Sequence, residues 1–137
     1  MKMFLDSATV ESNFQRFIKR IIENETVFYL SNKDGVANSV SNDDEETVIL
    51  MFWSDRAYAI RVKPNFDEDF EEKEMELFSF LYQWLPGMSY DGILAGPNWN
   101  GDLVGREIDP FELREIIEDQ MPSKLLETYE SKYNELT

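Results

Sequence analysis

The chain has 137 residues, 42% hydrophobic and 14% aromatic, enough for one packed domain without disulfide or metal support. Its 28 Asp and Glu against 13 Lys and Arg give a formal charge of −15, and it contains no histidine and no cysteine. The usual neutral-pH base, the readiest nucleophile and the preferred transition-metal ligands are therefore missing, and phosphate backbones and anionic lipid would be repelled.

Met1–Val10 carries one lysine, an early Asp6 and no apolar run, unlike a secretory leader. No stretch approaches the roughly 20 apolar residues of a membrane span. The expectation is a soluble cytoplasmic protein. From Ala8 to Glu23, the residues Val10, Phe14, Phe17, Ile18, Ile21 and Ile22 recur at steps of three and four, which predicts an amphipathic helix. Thr26–Ser31 reads as a strand, Asn32-Lys33-Asp34-Gly35 as a tight turn, and Val36–Ser41 as a weaker edge strand. After the acidic turn Asn42–Glu46, the apolar run Thr47–Trp53 predicts a central strand buried on both faces. These three strands read as an antiparallel meander.

Ser54 and Asp55 stand where a cap belongs, before a short helix Asp55–Val62. The acidic stretch Asp67–Glu76 reads as a loop and first helical turn, leading into a helix with Leu77, Phe78, Leu81, Trp84 and Leu85 on one face; Pro86-Gly87 is expected to stop it. Ile93–Pro97 and Leu103–Ile108 predict a hairpin around Asn100-Gly101, a favoured type I′ pair. Asp109-Pro110-Phe111-Glu112 opens another helix, with Asp as cap, Pro at the first position and Glu at the third. A last helix runs from Pro122 to about Tyr133. The order predicts a single α+β domain over 1–137, with a mainly antiparallel sheet of about five strands and helices packed on it.

The run Asp67-Glu68-Asp69-Phe70-Glu71-Glu72 is the most conspicuous polar feature. It lacks the alternating carboxylates and glycine of a calcium loop. It reads either as a solvated segment whose acids complement a helix dipole or as a docking surface for a basic partner, with Phe66 and Phe70 as apolar anchors. Paired carboxylates could do acid–base chemistry, yet with this many acids proximity alone means little. No phosphate loop, nucleophile elbow or dinucleotide fingerprint is present. Trp53 and Trp84 read as core. Trp99, beside the expected turn, either packs across its hairpin or stays exposed as a contact residue.

Three stretches resemble a known bacterial family: Met51-Phe52-Trp53-Ser54-Asp55-Arg56-Ala57-Tyr58-Ala59, Phe80-Leu81-Tyr82-Gln83-Trp84-Leu85-Pro86-Gly87-Met88, and Gly92-Ile93-Leu94-Ala95-Gly96-Pro97-Asn98-Trp99 followed by Gly105 and Pro110. They are similar, in order and spacing, to motifs of domain-of-unknown-function family twenty-seven-fifty. The similarity spans about 10–117 and leaves a C-terminal helical extension over about 122–134. The resemblance implies a compact α+β scaffold and supplies no catalytic residue, because the family has no established activity.

The functional expectation is a non-enzymatic module that binds a basic protein through Asp67, Glu68, Asp69, Phe70, Glu71 and Glu72, with Trp99 as a further contact. A concrete version is an immunity-type protein neutralising a basic toxin. The alternative is a small-ligand binder or carboxylate-based enzyme with a pocket near Trp53 and Trp99. No cofactor or metal, no direct nucleic-acid contact and no membrane contact is expected.

Overall fold

A computed structural model describes residues 7–41, 43–66, 69–101, 103 and 105–137. Helix α1 (Ser7–Asn24) buries Phe14, Phe17, Ile18 and Ile21, the stripe its periodicity predicts. Strand β1 (Thr26–Asn32) turns through Lys33-Asp34 into β2 (Gly35–Val36), with Asn32 opposite Gly35, whose φ of 137° suits a residue without Cβ. The weak edge strand then divides. At Ala37, which is buried and donates its N–H to the Leu30 carbonyl (2.8 Å), the chain leaves β1 and continues as β3 (Asn38–Val40) alongside β4 (Val48–Phe52).

The single α+β domain therefore holds two three-stranded sheets rather than one meander, ordered β2-β1-β5 and β3-β4-β6. Strand β5 is Glu71–Glu76 and β6 is Leu94–Pro97. An antiparallel bridge between Phe28 and Trp53 joins the sheets, through N–H···O=C bonds of 2.8 and 2.9 Å. Because side chains alternate along a strand, the sheets separate two cores. Val27 and Phe52 point into the larger, with α1 and the later helices; Leu30, Ile49, Met51 and Trp53 point into the smaller, with Ala59 and Val62 of α2 (Arg56–Val62). Burial of β4 on both faces matches its continuous apolar sequence.

Three local expectations are corrected. The acidic segment Glu71–Glu76 is a strand, antiparallel to β1 from Thr26↔Glu76 to Ser31↔Glu71, not a loop entering a helix. Glu and Lys have little intrinsic β preference, but β1 offers a free edge and Met75 sits opposite Val27, so tertiary pairing decides. Pro86-Gly87 does not stop its helix. Short α3 (Leu77–Ser79) passes through a π-helical stretch, Phe80–Trp84, into α4 (Leu85–Tyr90), with the Leu85 N–H reaching back to the Phe80 carbonyl. The widened turn comes immediately before Pro86, where a donor is lost and the ring would crowd an α-helical ladder. Finally, the expected hairpin around Asn100-Gly101 shrinks to one bridge, Ala95↔Ile108. Strand β6 pairs in parallel with β4 instead, and Asn98 (φ 47°) and Leu103 (φ 57°) bend the chain out of a ladder.

Helix α5 (Pro110–Gln120) starts as its sequence predicts: the Asp109 carboxylate accepts from the N–H groups of Phe111 (3.0 Å) and Glu112 (3.1 Å). Helix α6 (Ser123–Leu136) lays Tyr129 edge-on against Phe78, and the Tyr129 hydroxyl donates to Glu25. Burial first, and that hydrogen bond second, push the phenol pKa up.

Candidate functional site

Two regions carry the functional expectations. The first is the acidic segment. Asp67 and Glu68 lie outside the described residues. Asp69 is exposed, while Phe70 is half-buried and packs edge-on against Phe66 at 5.1 Å, so the two aromatic anchors satisfy one another against the smaller core. On β5 every glutamate has a cation in reach: Glu71 with Lys73 (3.1 Å), Glu72 with Lys63 (2.9 Å), Glu74 with Arg56 (3.9 Å) and Glu76 with Lys132 (4.0 Å). The hydrogen bond from Lys63 holds the Glu72 carboxyl below its ordinary pKa. Ion pairs at a solvated surface are weak and exchange readily. Strand β5 ends its sheet, so one side of its backbone has no neighbouring strand among the described residues.

The second region is the corner where β4 and β6 end side by side. Trp99 does not join the acidic strand. Its ring is 1% exposed, held in the smaller core with Trp53, and its position as a surface contact is replaced by an interior one. Two glycines make room for it. A Cβ on Gly96 would stand 2.7 Å from the Trp99 Nε1, and one on Gly105 2.5 Å from its Cδ1, both inside van der Waals contact. The indole N–H donates to the Arg106 carbonyl (2.8 Å), and the Trp53 indole N–H donates to the Trp99 carbonyl (2.9 Å), so both buried indoles are satisfied.

Asn98 braces this corner. Its side-chain oxygen accepts from the Ser54 backbone N–H (2.9 Å), and its amide nitrogen donates to the Ser54 hydroxyl (3.1 Å) and the Asn13 carbonyl (3.3 Å). Ser54 and Asp55 are not side-chain caps, contrary to expectation. The Ser54 hydroxyl donates to the Asp55 carboxylate (2.7 Å), which grips the Arg20 guanidinium through two oxygens at 2.7 and 2.8 Å. That hydrogen bond, then the charge of Asp55, raises the Arg20 pKa. The chain thus joins α1, the β4–α2 junction and the end of β6 through one polar network.

A cavity of about 180 Å³ opens beside the network, lined by Asn13, Arg16, Trp53, Tyr58, Arg61 and Trp99 among others. The sequence pointed to the neighbourhood of Trp53 and Trp99 and missed the arginines. The Asn and Gly density of Gly96–Gly101 signals a bent backbone, but nothing in the spacing brings Arg16 of α1 to Arg61 of α2. No group of acidic residues able to hold a metal ion occurs among the described residues.

Fold and site define a small two-sheet α+β domain with one polar–aromatic cleft and one open acidic strand edge. The chain belongs to the family described as protein of unknown function (DUF2750), whose model matches residues 14–117. Helix α6 lies beyond the matched span. No curated protein and no solved structure matches the chain. No helix among the described residues is long and apolar enough to cross a membrane.

Proposed function

We propose that this protein is a non-enzymatic binding module that docks a basic protein partner on the open edge of β5. The carrying observation is that edge: a six-residue strand with one unpaired side, set among glutamates in a chain of charge −15. A partner strand would gain main-chain hydrogen bonds along it, and Lys or Arg side chains would exchange with Lys73 and Arg56 on the exposed carboxylates. An immunity-type role against a basic toxin is one form of this reading. Support for a non-catalytic role is chemical: histidine and cysteine, the usual neutral-pH base and the readiest nucleophile, are absent.

The test is capture of partners from source lysate at low and high salt, repeated with Asp67, Glu68, Asp69, Glu71 and Glu72 reversed to lysine. A basic protein held at low salt, weakened at high salt and lost on reversal is expected. Retention by the reversed chain would overturn the assignment to this edge. A second reading, a small-ligand binder at Trp53 and Trp99, is favoured by the cavity both rings line.

A further inference from the structure

The chain carries six arginines. Four meet carboxylates: Arg20 with Asp55, Arg56 with Glu74, Arg106 with Glu11 and Glu112, and Arg114 with Glu118. The remaining two, Arg16 and Arg61, meet none among the described residues, although acids outnumber bases 28 to 13. Both line the same cavity. Arg16 donates one hydrogen bond to the Asn13 side chain (3.3 Å), and Arg61 lies over the Tyr58 ring at 5.6 Å, so each guanidinium keeps most of its five donors.

The neighbourhood has the same bias. A neighbouring depression shares Arg16 and Tyr58 with the cavity and adds Lys19, Arg20 and Glu23. Across the two, the cationic side chains are Arg16, Lys19, Arg20 and Arg61, and Glu23 is the one carboxylate among the described lining residues. Asp55 neutralises Arg20 and Glu23 approaches Lys19 at 3.9 Å, so among the described residues the excess positive charge falls on the two arginines at the cavity. Guanidinium forks match carboxylate and phosphate oxygens in geometry as well as charge. The wall behind them mixes apolar and polar groups: Tyr58 and Val62 stand beside Asn13, Asn98 and Asn100, with the buried Trp53 and Trp99 beneath.

We infer that this cleft binds a small organic anion, a carboxylate or phosphate monoester head on Arg16 and Arg61 with a compact aromatic or apolar body against Tyr58 and Val62. The inference rests on the second reading above, that the cavity holds a ligand, and adds the ligand's chemical class. The volume of about 180 Å³ lies below the roughly 300–1,000 Å³ of drug-sized pockets and near the roughly 150 Å³ that takes a benzene ring, so it limits the body to one ring. The field of the rest of the chain repels anions, so recognition depends on contact with the two arginines rather than on long-range attraction.

The experiment is calorimetric titration of the full chain at constant ionic strength with four probes: benzoate, phenyl phosphate, inorganic phosphate and neutral benzamide. Tryptophan fluorescence, to which Trp53, Trp84 and Trp99 contribute, follows the same titrations. Saturable binding of benzoate or phenyl phosphate is expected at one site, with benzamide and inorganic phosphate weaker by tenfold or more. Arg16→Gln and Arg61→Gln should each weaken the organic anion by roughly tenfold or more, as charge-assisted bonds do, with unchanged circular dichroism. Equal binding of benzamide, or undiminished anion binding by both variants, would overturn the anion assignment while leaving a ligand cavity. Inorganic phosphate binding as tightly as phenyl phosphate would overturn the organic body. No saturable binding by any probe would overturn the cavity reading itself.

Discussion

Asn98 combines two demands that few side chains meet together. Its backbone occupies the left-handed region at φ 47°, which costs an ordinary L-residue about 1–2 kcal/mol, and its amide satisfies a buried backbone donor on Ser54. Asn98→Gly keeps the first and loses the second; Asn98→Ala loses both. In urea unfolding, Asn98→Gly is expected to lose about 1–3 kcal/mol, from the orphaned Ser54 N–H. Asn98→Ala should lose about 1 kcal/mol more. Equal losses would show that the backbone conformation carries no cost here. Trp99 shows why this corner was only half legible in sequence. Its size marked it as notable, but whether it faces in or out depends on Gly96 and Gly105, which clear space only once β6 and the loop after it have met. Arg16 and Arg61 left no trace at all, since their common cavity exists only where residues of α1, α2 and the segment after β6 meet.

At the scale of elements, legibility follows the range of the deciding interaction. Helix α1 was readable because its stripe at helical spacing buries locally. The start of α5 was readable because Asp109, Pro110 and Glu112 act within one turn. Asp109→Ala should therefore cost about 0.5–2 kcal/mol in chemical denaturation, the usual worth of a cap, with no change in fold by circular dichroism. A negligible loss would mean that water replaces the cap. Strand β5 was not readable: Glu71–Glu76 becomes a strand because β1 lies beside it, and that neighbour is distant in sequence. The π-helical stretch before Pro86 is likewise a collective adjustment, letting a proline that ends most helices sit inside a continuous one.

For the molecule as a whole, charge decides the response to acid. The Glu72 carboxyl has a folded-state pKa below its ordinary 4.5, first through the hydrogen bond from Lys63. The unfolded chain binds that proton more readily, so the stabilisation is present above the ordinary value and is lost as pH falls through the depressed one. Thermal melts from pH 7 downward should show the native chain falling toward Glu72→Gln below about pH 4.5, while the two differ by a small, constant amount above it. Parallel curves throughout would remove Glu72 from the acid response. Relief of repulsion among the excess carboxylates acts the other way over the same range, so the difference between the two chains, rather than either curve alone, isolates the pair.

The switch of one edge segment from β1 to β4 at Ala37 has a consequence for how the molecule opens. Strand β4 gains β3 from nearby chain, but gains β6 only after the chain has passed through α2, β5 and the helix that follows. Closing that long excursion costs more configurational entropy than closing the local ladder. Detachment of β6 alone would release Asn98 and Trp99 together and dissolve the wall of the cleft, while α1, β1 and β5 kept their pairing. A molecule held between the arginines would therefore act as a clasp on β6, and its occupancy would be read out as resistance of β6 to amide hydrogen exchange.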